Sequence, residues 1–145
     1  MVFKEEKRNL FEVDEKYQLP FCISADGAMG TNSKGQAVPC IALEMVKKFP
    51  ELEALRGNKY NRVGECNWVD RTLAIVTKEK YWHKPTYDTM RDALLAMRGL
   101  CYQEDIKFIA TYRLGCKLDK LEWPKVRALI QEIFQDMDIE ILICY

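Results

Sequence analysis

A single histidine, His83, is all the chain has of the commonest metal-ligating side chain, and no two of its six cysteines show the two-residue spacing of a zinc or redox site. On that count a zinc centre is short of ligands. Long apolar runs are also missing. None approaches the roughly 20 residues of a membrane span, and Met1–Arg8 (MVFKEEKR) lacks the apolar centre of a secretory signal. A cytoplasmic protein with no membrane partner is the expectation. No charge of either sign is in excess, because 22 basic and 22 acidic side chains cancel. That balance argues against holding duplex DNA by charge, since displacing counterions takes a strong basic surplus; a nucleotide ligand stays open. Dinucleotide fingerprint, P-loop, internal repeat, low-complexity stretch and linker are all absent.

What is present reads as one domain over residues 1–145. A chain of this length buries roughly 70% of its extended surface and needs no disulfide to hold a core. Cys22, Cys40, Cys66, Cys101, Cys116 and Cys144 are therefore expected as free thiols in a reducing compartment, with Cys22, Cys101 and Cys144 in apolar settings. The first third reads as strands at Leu10–Val13 and Phe21–Ser24, a glycine-containing loop over Asp26–Gly35, and a helix from Ile41 towards Leu55 that bends near Pro50. After the polar stretch Arg56–Arg62, Glu65–Trp68 and Thr72–Val76 form a hairpin through Val69, Asp70 and Arg71. Tyr87, Met90, Leu94, Met97 and Cys101 mark one helical face behind a Thr86 cap. Phe108–Tyr112 is a strand, Trp123, Val126, Ile130 and Ile133 mark a helix, and Ile139–Cys144 is a strand apolar enough to be covered on both faces. Trp68 and Trp123 are assigned to the core. Strand, helix, strand, helix, strand from Thr72 onward predicts a three-layer α/β/α sandwich around a mixed, largely parallel sheet.

In such sheets ligands sit beyond the carboxyl ends of the strands, which selects the loops Ser24–Gly30, Thr77–Lys84 and Arg113–Asp119. The first carries Gly27 and Gly30 and the third Gly115, where missing side chains let backbone amides approach an anion. Two such loops on one edge suit a diphosphate. Lys78 and Asp119 lie on the same edge. They read either as a solvated lysine and a helix-capping aspartate, or as an amine nucleophile beside a carboxylate. Tyr81 and Trp82 offer stacking faces for a base or ribose, or simple packing. His83, at a helix entrance, suits an orienting hydrogen bond better than a general base.

Cys22–Gly30 (CISADGAMG), Thr77-Lys78 with His83–Tyr87 (HKPTY), Arg113–Asp119 (RLGCKLD) and Leu121–Trp123 together resemble a macro domain of the terminal ADP-ribose protein glycohydrolase branch, which includes antitoxins that strip ADP-ribose from DNA. The resemblance runs nearly without gaps from Gly64 to Tyr145 and is patchy before that. It implies ADP-ribose as ligand or product, an ADP-ribosylated protein or nucleic acid as partner, and no metal or other cofactor. It also implies Lys78 as the nucleophile on the distal ribose and Asp119 as the group assisting release. Ligand-binding positions carried over are Asn9, Leu10, Ser24, Asp26, Met29, Gly30, Thr77, Arg113, Leu114, Gly115, Cys116 and Lys117. Three departures mark this chain. Arg8-Asn9-Leu10-Phe11 stands for Gly-Asp-Leu-Phe, Thr31–Cys40 lengthens the first loop, and Lys117 replaces a glycine, either neutralising the diphosphate or narrowing the pocket. A non-catalytic ADP-ribose binding module and a hydrolase of a free derivative such as acetylated ADP-ribose are the rival readings.

Overall fold

The computed structural model describes residues 1–57 and 61–145. Asn58, Lys59 and Tyr60, inside the polar stretch expected over Arg56–Arg62, lie outside the described residues. In chain order the elements are β1 (Val2–Glu6), a short 3-10 helix (Leu10–Glu12), β2 (Leu19–Ser24), α1 (Ile41–Lys48), a second 3-10 helix (Pro50–Leu55), β3 (Cys66–Val69), β4 (Thr72–Lys78), α2 (Tyr87–Gln103), β5 (Phe108–Thr111), α3 (Trp123–Phe134) and β6 (Glu140–Cys144).

The strands form two three-stranded ladders, β1-β6-β5 and β2-β4-β3, with every pair parallel except the β3–β4 hairpin. The ladders meet where β2 lies beside β5. Gln18 N–H donates to the Phe108 carbonyl and Ala110 N–H to the Gln18 carbonyl. The next donor on β2 would come from Pro20, which has no N–H. There the regular ladder stops, and side chains take over: Thr111 Oγ1 donates to the Pro20 carbonyl at 2.7 Å and Cys22 N–H donates to Tyr112 Oη at 3.2 Å. The result is one mixed sheet in the order β1-β6-β5-β2-β4-β3.

Thr72 to Thr77 on β4 are each fully shielded from solvent, because both faces of the sheet are covered. Leu73 and Ile75 join Met90, Leu94 and Met97 of α2 and Val126, Ile130 and Phe134 of α3 in one core. Ala74 and Val76 face the other way, against Met45 and Val46 of α1 and Leu52 and Leu55 beyond it. This is the expected three-layer sandwich. Thr86 caps α2 in a reciprocal box with Thr89, satisfying two otherwise orphaned amides. Pro124 falls in the first turn of α3, where its missing N–H costs nothing.

Three expectations need correction. Leu10–Val13 is not a strand: Asn9 Oδ1 accepts from Phe11 N–H at 2.9 Å and turns the chain into a 3-10 helix, with Leu10 alone buried. The edge strand β1 was not foreseen, because its exposed, charged pattern (VFKEE) carries no apolar alternation. Trp68 is not core. It is 45% exposed, and its indole N–H reaches Gln18 Oε1 on the sheet rim, whereas Trp123 is 7% exposed and donates to Glu5. The two tryptophans should therefore separate in urea denaturation: Trp123→Ala loses about 3–5 kcal/mol, and Trp68→Ala less than about 1 kcal/mol. Equal losses would contradict the burial difference.

Candidate active site

A cavity of about 510 Å³ opens at the carboxyl edge of the sheet, a size suited to a small ligand of nucleotide dimensions. Its floor is the end of β2 and the phenol of Tyr112. One wall is the first glycine loop with the start of α1, and the other is the loop between β5 and α3.

Lys78 is the last residue of β4, rather than a residue of the loop beyond it. Its position depends on an irregularity: the β2–β4 register shifts between Ile23 and Ser24, so Thr77 is passed over and Ser24 pairs with Lys78. An extra residue at a strand end re-aims the side chain beside it. Lys78 Nζ donates to Asp119 Oδ1 at 2.6 Å, with the side chains only 15% and 11% exposed. Asp119 is held by its loop, which Lys84 Nζ anchors through the Leu118 carbonyl at 2.6 Å and Leu121 N–H through the Gly115 carbonyl at 2.8 Å.

In the first loop, Asp26 Oδ1 accepts from the Ser24 hydroxyl and from Ala28 N–H, and Oδ2 accepts from Tyr81 N–H. Asp26 thus organises the loop from behind and sets the Ser24 hydroxyl at the cavity. Met29 and Gly30 then take φ values of +41° and +86°. At Gly30 a Cβ would stand 2.5 Å from Leu43 Cβ and 3.0 Å from its Cα, so only glycine fits there. Among the described residues neither Met29 N–H nor Gly30 N–H finds a protein acceptor. The same holds for Lys117, Leu118 and Asp119 in the other loop. Unengaged amides on two facing loops form a site for an anion.

Of the positions carried over from the resemblance, Ser24, Met29, Gly30, Lys78, Gly115, Lys117 and Asp119 converge on this cavity. Others lie away from its wall. Asn9 is exposed and caps its 3-10 helix, Leu10 is core, and Thr77 is buried beneath the floor with Oγ1 unpartnered. Leu114 is core as well, Arg113 stacks its guanidinium on the Tyr145 ring, and Cys116 donates to the Leu114 carbonyl. The extra segment of the first loop folds into a small lobe, with Thr31 bridged to Ala37 and Val38 N–H donating to the Gly30 carbonyl. Thr31, Val38, Pro39 and Cys40 from it join the cavity wall. Tyr81 also lines the cavity and accepts from Ser33 N–H through its hydroxyl, while Trp82 is 61% exposed, edge-on to both Tyr81 and His83. Tyr112 and Glu44 are wall residues that sequence reasoning missed.

Burial pushes the Cys22 thiol up to about 12, with the Asp119 carboxylate adding in the same direction, and burial carries Tyr112 well above its ordinary value. The floor is therefore neutral, and charge in the pocket is carried by Lys78, Asp119, Lys117 and Glu44.

No family model matches the chain. A sheet of this order between two helical layers, with a two-loop cavity at its carboxyl edge, is the architecture of macro domains. The Thermus aquaticus DarG macrodomain superposes with a TM-score of 0.83 at 20% identity, covering 99% of this chain and 98% of that one. Thermosipho africanus DarTG, solved in complex with ADP-ribose, gives 0.78 at 19% identity over 99% of this chain and 41% of that one. Bovine ADP-ribose glycohydrolase OARD1 is 33% identical over 141 residues, 94% of this chain and 87% of that protein. The chain belongs to the macro domain family, as a relative of OARD1.

One buried and two partly buried thiols predict a pH response. Cys22, Cys66 and Cys101 are each raised from an ordinary 9.0 to about 12, chiefly by burial. The folded chain then holds more protons than the unfolded one inside that window, so stability is intact below pH 9.0 and lost as pH rises towards 12. Urea midpoints followed upward from neutral pH should fall steeply beyond that point, and less steeply in Cys22→Ala. A flat profile would mean that these thiols are solvated.

Proposed function

We propose that the chain binds ADP-ribose and hydrolyses an ADP-ribosyl linkage, with Lys78 as nucleophile and Asp119 as the proton-carrying partner. One observation carries the reading: a lysine and an aspartate 2.6 Å apart, both largely shielded, sit between two loops of unengaged amides. The relationship to an ADP-ribose glycohydrolase supports the same substrate class. The diphosphate lies between the Met29-Gly30 and Gly115–Asp119 loops, with Lys117 adding charge, and the distal ribose reaches the Lys78–Asp119 pair.

The chemistry balances within the pair. Lys78 gives a proton to Asp119 and attacks the anomeric carbon of the distal ribose, breaking its bond to the carrier atom. Asp119 returns the proton to that leaving atom. Water then cleaves the lysine–ribose adduct, whose opened sugar passes through an imine, and releases ADP-ribose with Lys78 restored. The carrier is an ADP-ribosylated protein side chain, a nucleobase or a small molecule, and a hydrolysis panel of the three selects among them.

Calorimetric titration should find ADP-ribose bound about tenfold or more tightly than adenosine, because charge-assisted hydrogen bonds to the loop amides are worth about 1.5–3 kcal/mol each. Lys117→Gly should weaken ADP-ribose and flatten its salt dependence; tighter binding would mean that the side chain obstructs the pocket.

Lys78→Ala should lose more than about 100-fold in turnover while ADP-ribose affinity stays within a few fold, since its interaction is made in the transition state. A reducing agent should trap the adduct in wild type as added mass on the peptide containing Lys78, and Asp119→Ala, which lacks the group that takes the Lys78 proton and returns it to the leaving atom, should trap far less. Full turnover in Lys78→Ala would transfer the role to a water activated by Asp119. A wild type that binds ADP-ribose but cleaves no linkage would be a binding module.

A further inference from the structure

The two amides that face the diphosphate from the first loop belong to peptides whose carbonyls are both held by one side chain. Arg56 Nη1 donates to the Ala28 carbonyl at 2.6 Å and to Thr31 Oγ1 at 3.2 Å, and Nη2 donates to the Met29 carbonyl at 3.3 Å. A trans peptide is planar, with its C=O and N–H pointing in opposite directions. Fixing the Ala28 carbonyl on Arg56 therefore aims Met29 N–H away from Arg56, and fixing the Met29 carbonyl aims Gly30 N–H the same way. Met29 and Gly30 line the cavity. Arg56 does not: it lines a neighbouring depression of about 340 Å³ that shares Ala28, Thr31 and Tyr81 with the cavity.

The guanidinium is itself held in place. Its Nε donates to Glu53 Oε2 at 2.8 Å, and its side chain is 28% exposed. The backbone on either side clasps the same loop: Gly57 N–H donates to the Gly27 carbonyl, and a Cβ on Gly27 would stand 2.3 Å from the Leu55 carbonyl oxygen. With φ positive at both Met29 and Gly30, this conformation is costly for the methionine unless the surroundings fix it. The fork of Arg56 supplies that fixation at both carbonyls, joined at the Ala28 carbonyl by Thr31 N–H at 3.1 Å and Thr31 Oγ1 at 2.8 Å.

We propose that Arg56 is a positioning residue for the diphosphate site, acting through the Ala28 and Met29 carbonyls to hold the Met29 and Gly30 amides ready for the anion. The inference rests on the ADP-ribose reading above and adds to it a residue that contacts no part of the ligand. Its planar fork is what matters: a lysine carries the same charge but cannot span two carbonyls and a carboxylate at fixed angles.

Three proteins test it by calorimetry with ADP-ribose and with adenosine: wild type, Arg56→Met and Arg56→Lys, each with its melting temperature recorded without ligand. Arg56→Met should weaken ADP-ribose about tenfold or more, equivalent to about 1.4 kcal/mol, and leave adenosine within about twofold. Arg56→Lys should recover only part of the loss. An Arg56→Met variant that binds ADP-ribose like wild type overturns the proposal while leaving the proposed function intact. So does full recovery in Arg56→Lys, which would make charge the cause, and so does an equal loss for both ligands with a lowered melting temperature, which would make the role one of general folding. A wild type that binds no ADP-ribose overturns the proposed function and this inference together.

Discussion

A strand covered on both faces has no room for an unpaired charge along its length, and that constraint governs where chemistry is possible in this protein. On β4 the interior carries no charge: Leu73 and Ile75 serve one core, Ala74 and Val76 the other, and the two shielded polar side chains, Thr72 and Thr77, are uncharged. An ionised group within that stretch would cost several kcal/mol without a partner. Lys78 stands at the first position past the shielded residues, and its charge is met there by Asp119. The same rule acts on β2, whose Ser24 lies at the carboxyl edge, and just past the end of β5, where Tyr112 joins it in the cavity wall. The charged pair thus sits where the sheet, having kept charge out of its interior, comes to an end.

Two departures from regularity shape that edge. Pro20 withholds one ladder donor between β2 and β5, and the Tyr112 phenol fills the gap by accepting from Cys22 N–H. The register shift at Thr77 sets Ser24 beside Lys78. Each irregularity has a local cost, visible in the unpartnered Thr77 hydroxyl, and each places a cavity-lining side chain that an ideal ladder would have placed elsewhere. Irregular backbone concentrated at one end of a sheet fits the general pattern of sites built where regular structure gives way.

Sequence reading reached the parts of the fold that follow from periodicity. The stripe from Tyr87 to Cys101, the apolar run ending at Cys144 and the hairpin turn at Asp70-Arg71 all appear as expected, because burial dictates those residues directly. It failed where a single local bond decided the outcome. Leu10–Val13 has strand-like composition, yet one Asn9 hydrogen bond turns it into a 3-10 helix. At the site, the glycine loops and the Lys78–Asp119 pair were legible from residue type and order. Tyr112 and Arg56 were not. Tyr112 lies just past the end of β5, and its phenol is set in the wall by a hydrogen bond from Cys22 N–H across the irregular β2–β5 seam. Arg56 lies about 26 residues along the chain from the loop it holds, in a stretch with no periodic signal. Its role follows from carbonyl directions, which no sequence pattern encodes.

The proposed mechanism has to reckon with how tightly Lys78 is paired to Asp119. As an ion pair the amine is not a nucleophile, so on the proposed mechanism one proton must cross the 2.6 Å hydrogen bond before attack. Ligand entry supplies a reason for it to cross. A ribose filling the cavity displaces the water that solvates the pair, and two neutral groups are cheaper to enclose in a dry site than two charged ones. On that mechanism the transfer leaves a free amine for the anomeric carbon and a carboxylic acid for the departing atom, the two protonation states that the next step requires. On the proposed mechanism, substrate binding and activation of the nucleophile become one event, with Lys78 paired to Asp119 until then.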